Sequence, residues 1–392
     1  MSGAKQLVQI NRCKKRIKTL MLAMGLWPVK NPTIIYRIRP YIVGCSIFLV
    51  FLGLCNFIYH NSHILTIALR GVGLALSLTA VMIKIGSYIY YRKLYLEIED
   101  ILNEIMAEQL TKENIIKIML DPIVYFSTKV SWFIFFSGYG IMSVLFSKPI
   151  IFMFKELINN VQPFKYMLHY PLVYPYKINN DLTWIAHFIF ESFVSIFFCT
   201  VGTSTDNTFG YYSSHIMAQF RTLNYEIENI NNNEKVAFDE KIKSLIVRHK
   251  QLIHCCVLLQ NANGPIVLIL SLTTAVILCT LLFQISQMKN ILFGQLIWLT
   301  VYISFKLFQT LIYAWSGEKI TSESEQFRVS VYACNWEKMD YHSSAKSLII
   351  MMNQRPVNLK ACGILPINAT LFTSMLNGSL SYFFLLRSLQ ES

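Results

Sequence analysis

Seven long apolar stretches, separated by connectors that carry most of the Lys and Arg, constrain this sequence more than any other feature. A helix of about 20 apolar residues crosses roughly 30 Å of hydrocarbon, because each residue rises about 1.5 Å. The predicted spans are residues 41–60, 64–91, 124–147, 183–212, 264–287, 291–313 and 366–387. The sequence therefore predicts an all-α, polytopic membrane protein with seven transmembrane helices.

The distribution of basic residues predicts the orientation of the chain. Four alternate connectors, 1–40, 92–123, 213–255 and 315–346, contain 23 Lys and Arg, whereas the outer connectors contain 6 when Arg387, at the outer end of the last span, is counted with them. Basic loops resist transfer across the membrane and stay in the cytoplasm. We therefore predict a cytoplasmic amino terminus and an extracellular carboxyl terminus, which is the reverse of a G-protein-coupled receptor.

Composition and motifs exclude several classes of function. With 54% hydrophobic residues, the surface must face lipid, and the net charge of +13 lies beside the spans, where anionic lipids rather than nucleic acid attract it. The sequence has no HExxH, GxSxG, phosphate-loop or Cys-x-x-Cys motif. We therefore predict no enzyme activity, no cofactor, no metal site and no nucleic-acid partner. None of the nine cysteines falls in a predicted outer connector.

The chain divides into four predicted segments. Proline and glycine at Pro356, Gly363 and Pro366 are expected to break the seventh helix into a cytoplasmic piece and a membrane piece. The predicted segments are a basic amphipathic segment at the inner membrane surface (1–40), six membrane helices with cytoplasmic helical extensions (41–313), a cytoplasmic anchor that includes the first part of helix 7 (314–365), and the last helix with an extracellular tail (366–392).

Ionisable residues inside the spans need partners or a route to water, because a charge at mid-helix is costly. Lys84, Lys129 and Lys306 fall in the cytoplasmic halves of their spans, where a long side chain can extend to the interface. Arg70 and Glu191 each lie about two turns below the outer surface. We therefore predict that Arg70 and Glu191 form an intramembrane ion pair.

The outer halves of several spans are rich in aromatic and soft apolar side chains. Such stripes either pack against neighbouring helices or lipid, or line a dry pocket for a small apolar ligand. The candidate ligand-binding residues are Leu74, Phe136, Tyr139, Met142, Trp184, Phe188, Val194, Phe293 and Leu296. The long outer loop 148–182, rich in aromatics and prolines, is either a binding element over this pocket or an interfacial aromatic belt.

Two motifs resemble the insect odorant receptor family. The element Met24-Gly25-Leu26-Trp27-Pro28 precedes the first span, and the tail contains Ser347-Leu-Ile-Ile-Met-Met-Asn-Gln-Arg-Pro356 followed by Leu371-Phe-Thr-Ser-Met-Leu-Asn-Gly-Ser-Leu-Ser-Tyr-Phe-Phe-Leu-Leu-Arg387. The layout is similar over nearly the whole chain, and the motif match covers the end. Related gustatory receptors have a different ending, from which Arg387-Ser388-Leu389 departs.

This resemblance implies a subunit of a tetrameric, ligand-gated, non-selective cation channel in the plasma membrane of olfactory sensory neurons. A tuning subunit of this kind assembles with a shared co-receptor and binds a small volatile ligand. The short connector 213–255 favours a tuning subunit over the co-receptor. Carried onto this chain, the pore-lining positions are Leu385, Ser388 and Leu389 on the last helix.

Three other functions are alternatives to the channel. A G-protein-coupled receptor would have the opposite charge bias and an outer cysteine pair. A transporter would be expected to contain paired broken helices, whereas this sequence predicts one break. A gustatory-type receptor remains the nearest alternative within the same architecture.

Overall fold

The computed structural model describes residues 3–159, 167–176, 180–230, 235–287, 293–334 and 342–391, and these are almost entirely helical. The predicted all-α class is confirmed. The elements are α1 (Gly3–Ala23), α2 (Ile34–His60), α3 (Leu65–Tyr90), α4 (Arg92–Gln109), α5 (Glu113–Tyr125), a π-helical turn (Phe126–Val130), α6 (Ser131–Ile158), α7 (Asp181–Glu228), α8 (Lys235–Ser286), α9 (Phe293–Tyr332), α10 (His342–Met352), β1 (Lys360–Ala361), β2 (Leu365–Pro366) and α11 (Ala369–Glu391).

Six helical segments of the described chain are long and apolar enough to cross a membrane. They are Ile34–His60, Leu65–Tyr90, Ile115–Ile158, Asp181–Glu228, Phe238–Ser286 and Ala369–Ser388. The remaining predicted span, 291–313, falls in the first part of α9. Large apolar side chains such as Ile35, Phe154 and Leu182 are exposed, as expected for helices whose outer faces contact lipid.

The helix α7 is the centre of the bundle. It runs without interruption for 48 residues and contacts α1 to α6, α8 and α9. Nearly every residue from Cys199 to Ile227 is buried, polar residues included, so its second half is enclosed by other helices. Residues 231–234, which follow this helix and Ile230 in the sequence, lie outside the described residues.

The amino-terminal helix α1 is amphipathic, but its apolar face does not lie at a membrane surface. Its buried residues Ile10, Cys13, Ile17 and Met21 join the main core, and the helix contacts α5 and α7. Arg16 places its guanidinium 3.9 Å from the Trp132 ring centroid and donates a hydrogen bond to Ser131 Oγ at 3.0 Å. The prediction of a helix at the membrane surface is therefore wrong, because other helices of the protein cover the apolar face of α1.

The predicted break in the last helix is present. Helix α10 ends at Met352, the two short strands pair in antiparallel fashion, and α11 begins at Ala369. Cys362 and Gly363 take left-handed backbone conformations, with φ of 50° and 74°, at the turn between the strands. Glycine accommodates such angles and cysteine does so only with strain. A tight hairpin therefore joins the two parts of the helix.

Candidate functional site

A cavity lies where five helices meet inside the bundle. Its free volume is about 30 Å³, well below the roughly 300 to 1,000 Å³ of a usual small-molecule site, so a ligand enters only if the surrounding helices move apart. The lining residues come from α3, α6, α7, α8 and α9. They are Ser77, Ala80, Val81, Lys84, Gly138, Ile141, Phe198, Cys199, Gly202, Thr203, Leu270, Phe305, Lys306 and Gln309. The surface is mainly apolar, with a few polar groups grouped on one side.

Asp206 organises the polar side of this cavity. Its Oδ1 pairs with Lys84 of α3 and accepts a hydrogen bond from the Tyr313 hydroxyl at 2.7 Å. Its Oδ2 accepts a hydrogen bond from Gln309 Nε2 at 2.7 Å. Lys84 also reaches the Gly202 carbonyl oxygen at 3.4 Å. The Asp206 carboxylate thus links α7 to α3 and α9 beside the cavity.

This network corrects the interpretation of the intramembrane lysines. Lys84 is 1% exposed and Lys306 is 4% exposed, so neither extends to an interface. Lys129 alone of the three is exposed. The sequence reading also overlooked Asp206, which lies within the predicted fourth span. The signal that could have revealed it was the presence of lysines in other spans with no counter-ion assigned, because buried charges are normally paired.

The outer loop folds down onto the bundle in the segment 167–176. Glu191 Oε2 accepts hydrogen bonds from the backbone N–H groups of His169 at 2.9 Å and Tyr170 at 3.0 Å, and Oε1 accepts one from the Tyr174 hydroxyl at 2.9 Å. Asn56 Nδ2 of α2 donates a hydrogen bond to the Val173 carbonyl oxygen at 2.8 Å. The segment is therefore attached to both α2 and α7.

An aromatic cluster packs beneath this segment. The His169 ring lies between Phe146 and Phe188, with ring centroids 4.6 and 4.4 Å away, and Trp184 lies 5.2 Å from Phe188. Burial lowers the pKa of the His169 imidazole below its usual range, because the charged form would lose its hydration. Burial therefore favours the neutral form of the ring. The described part of the loop packs on the bundle instead of forming a lipid-facing belt, and its role as a binding element stays a prediction.

The predicted ligand-binding residues do not form one pocket. Trp184 and Phe188 join the aromatic cluster, whereas Phe136 is 69% exposed and stacks on Trp132, facing away from the bundle. Val194 is fully buried in the main core.

The other predicted residues lie between these extremes. Tyr139 is partly buried, and its hydroxyl is 3.2 Å from Thr200 Oγ1. Leu74, Met142 and Leu296 are also partly buried, and the side chain of Phe293 lies outside the described part of the chain. None of the eight described residues lines the cavity, whose lining residues lie about one turn deeper on α3 and α7.

The structure does not bring Arg70 and Glu191 together. Glu191 is fully buried, and its carboxylate oxygens accept the three hydrogen bonds from the 167–176 segment. Arg70 is exposed, and no ion pair among the described residues joins it to Glu191. The predicted ion pair is therefore wrong. The buried Glu191 carboxylate is hydrogen-bonded by two backbone N–H groups and the Tyr174 hydroxyl instead of by a cation.

The predicted pore positions lie on the outward side of α11. Leu385 is 54% exposed, and Ser388 is exposed and donates a hydrogen bond to the Leu385 carbonyl oxygen at 2.9 Å. The Leu389 side chain lies outside the described residues. The opposite side of α11 packs on α8 and α9 through Leu371 and Met375, which are buried. The face that carries Leu385 is therefore open within a single chain.

Comparisons with known proteins agree with this architecture. A solved olfactory receptor, OR5 of the insect Machilis hrabei in complex with eugenol, superposes with a TM-score of 0.73 over 97% of this chain and 99% of that one, at 14% identity. Odorant receptor 13a of Drosophila melanogaster is 26% identical over 56% of this chain and 57% of its own length, and odorant receptor 10 of Aedes albopictus is 27% identical over 44% and 46%.

The sequence matches span about half the length of these relatives, and the structural likeness at this low identity shows the fold alone. The family model described as 7tm Odorant receptor matches residues 65–380, which is most of the chain and includes all the lining residues of the cavity. On that match, this protein belongs to the seven-transmembrane odorant receptor family.

Proposed function

We propose that this multi-pass membrane receptor, which is not an enzyme, is the ligand-binding subunit of an odorant-gated, non-selective cation channel. A small hydrophobic odorant binds in the cavity between α3, α6, α7, α8 and α9. Its partners are co-receptor subunits of a heterotetramer, and its location is the plasma membrane of olfactory sensory neurons. The amino terminus is cytoplasmic and the carboxyl terminus is extracellular, as the basic connectors favour.

The proposal is supported mainly by the continuity of α9, which runs without a break from the cavity to the start of α11. Phe305, Lys306 and Gln309 line the cavity, and the same helix continues to Gly317. The rise along the helix from the cavity to Gly317 is about 16 Å. A change in the position of α9 at the cavity is thus transmitted along one rigid element.

The junction between α9 and α11 is tight. The backbone of Ile367 packs so closely on Gly317 that a Cβ there would collide with the Ile367 carbonyl oxygen. The next residue, Glu318, accepts a hydrogen bond from the Ala369 N–H at 3.2 Å, at the first residue of α11. Because no side chain separates the two backbones, a shift of α9 moves the start of α11 directly.

Ligand binding opens such a channel only by differential affinity for the open and closed states. A ligand that fits the cavity better when α9 has moved shifts the equilibrium toward the state with α11 displaced. We propose that the exposed face with Leu385, Ser388 and Leu389 lines the ion path, where apolar side chains form a gate that closes by excluding water. Burial of roughly 250 Å² of ligand gives about 6 kcal/mol before ordering costs, enough for micromolar binding.

Whole-cell recording from cells that express this chain with and without an odorant receptor co-receptor tests the proposal. We expect rapid odorant-evoked cation currents that need the co-receptor and persist without intracellular nucleotides. Currents abolished by G-protein block would overturn the channel mechanism. Epitope tags give an independent check of orientation, because a tag at the carboxyl end, and not one at the amino end, should be accessible on intact cells.

A matched pair of substitutions locates the binding site. Phe198 lines the cavity, whereas Phe136 is exposed on the outer face of the bundle. Phe198→Ala should change the half-effective odorant concentration by at least about 10-fold, because it removes apolar contact area from the pocket. Phe136→Ala should leave that concentration unchanged. Equal effects of the two variants would count against the cavity as the binding site.

A further inference from the structure

The cavity contains a buried cation that the protein itself does not satisfy. Lys306 is 4% exposed, lines the cavity, and has no hydrogen-bond acceptor or ion-pair partner among the described residues. Its Nζ lies 5.9 Å from the ring centroids of Tyr302 and Phe305. Contacts at that distance to ring faces are weak substitutes for hydrogen bonds.

The neighbouring carboxylate does not meet this need. Asp206 already binds Lys84, Tyr313 and Gln309 through its two oxygens. Lys84, Lys306 and Asp206 together leave a net charge of +1 at the cavity. An unpaired charge in a dry site is costly, so an acceptor-bearing ligand at this point would recover free energy that a purely apolar one cannot.

We infer that the ligand of this receptor carries a carbonyl or carboxylate group whose oxygen accepts hydrogen bonds from Lys306 Nζ. This inference rests on the proposed function and names the chemical class of ligand for the same cavity. The apolar lining from Val81, Ile141 and Phe198 accommodates an aliphatic or aromatic remainder. A medium-length acid or aldehyde offers both an acceptor oxygen and an apolar chain, whereas a hydrocarbon of the same size leaves the ammonium unsatisfied.

The test measures binding without relying on conduction. Thermal stabilisation of the purified full-length receptor in detergent is recorded against hexanoic acid, hexanal and hexane. Hydrogen bonds to charged groups correspond to roughly 10- to 100-fold in affinity. We therefore expect the acid or the aldehyde to act at a concentration at least about 10-fold lower than hexane.

The matched variants are Lys306→Met and Lys129→Met. Lys129 lies on a membrane helix but is exposed and does not line the cavity. Lys306→Met should abolish the preference for the acid or aldehyde, whereas Lys129→Met should retain it. If Lys306→Met does not reach the cell surface, Lys306→Gln, which keeps a donor but not the charge, takes its place and should reduce the preference for the acid.

The inference is overturned if the wild-type receptor shows no preference over hexane, if Lys306→Met keeps the preference, or if Lys129→Met loses it. Replacement of chloride by gluconate provides a further arm. If chloride stabilises the wild type but not Lys306→Met, and the acid and aldehyde have no advantage, the cation holds an inorganic ion instead. Odorant-evoked currents with no preference among the three compounds would overturn this ligand class and leave the proposed channel function standing.

Discussion

Substitution of Asp206 should destabilise this receptor more than substitution of any exposed carboxylate. Asp206→Asn keeps the shape of the side chain but removes the charge that pairs with Lys84, which is 1% exposed. Lys84 and Lys306 would then both be buried without a counter-ion. Removing one member of a buried pair costs about 3–5 kcal/mol, because the other charge remains out of water.

A double variant separates the charge effect from general damage. Lys84→Met with Asp206→Asn removes both charges, and replacing a buried ion pair by apolar groups is often nearly neutral. We expect the double variant to recover most of the stability lost in Asp206→Asn. The readouts are the apparent unfolding temperature in detergent and the amount of receptor at the cell surface.

The pair formed by Lys30 and Asp100 supplies the control. Its side chains are 71% and 58% exposed, and exposed pairs contribute about 0–1 kcal/mol. Asp100→Asn should therefore leave the unfolding temperature almost unchanged. The reasoning is refuted if Asp206→Asn is as mild as Asp100→Asn, or if the double variant is no more stable than Asp206→Asn alone.

Two further predictions concern the outer segment and the junction with α11. Glu191→Gln should speed hydrogen exchange of the backbone amides in 167–176 by an amount equivalent to about 2–4 kcal/mol of local opening free energy. Tyr174→Phe should have a smaller effect, because it removes only one of the three hydrogen bonds to the Glu191 carboxylate. Equal exchange rates in the two variants would contradict the role of Glu191 as the anchor of this segment. Gly317→Ala should reduce the odorant-evoked current while ligand binding is retained, because the new Cβ would collide with the Ile367 carbonyl oxygen. Gly86→Ala should leave the current unchanged, because no atom lies within 4 Å of the added carbon. A normal current in Gly317→Ala would argue against the proposed coupling of α9 to α11.

The sequence predicted the helices well because their length and apolar character are local properties. The broken last helix followed from Pro356, Gly363 and Pro366, and the structure places the hairpin between α10 and α11. Local rules of this kind need no knowledge of which helices are neighbours. The same reasoning could not show that the second half of α7 would be enclosed by so many helices.

The contents of the site were harder to predict because they depend on helix rotation and depth. A shift of about one turn separates Leu74 from the cavity residue Ser77, and Val194 from Phe198. Charge partners also depend on which faces meet. Glu191 accepts hydrogen bonds from backbone N–H groups of a loop and does not pair with Arg70. The spacing of residues along one helix does not show which group on another element will be its partner.

The 167–176 segment is held to the bundle by hydrogen bonds rather than by a covalent bridge. The segment contains no cysteine, and the sequence around it offers none, so three hydrogen bonds to one carboxylate do what a disulfide does in many extracellular loops. Such an attachment does not depend on oxidants or reductants. Loop motions take nanoseconds to microseconds, whereas uncatalysed disulfide rearrangement takes minutes to hours, so hydrogen bonds leave this segment free to open and close where a covalent bridge would hold it.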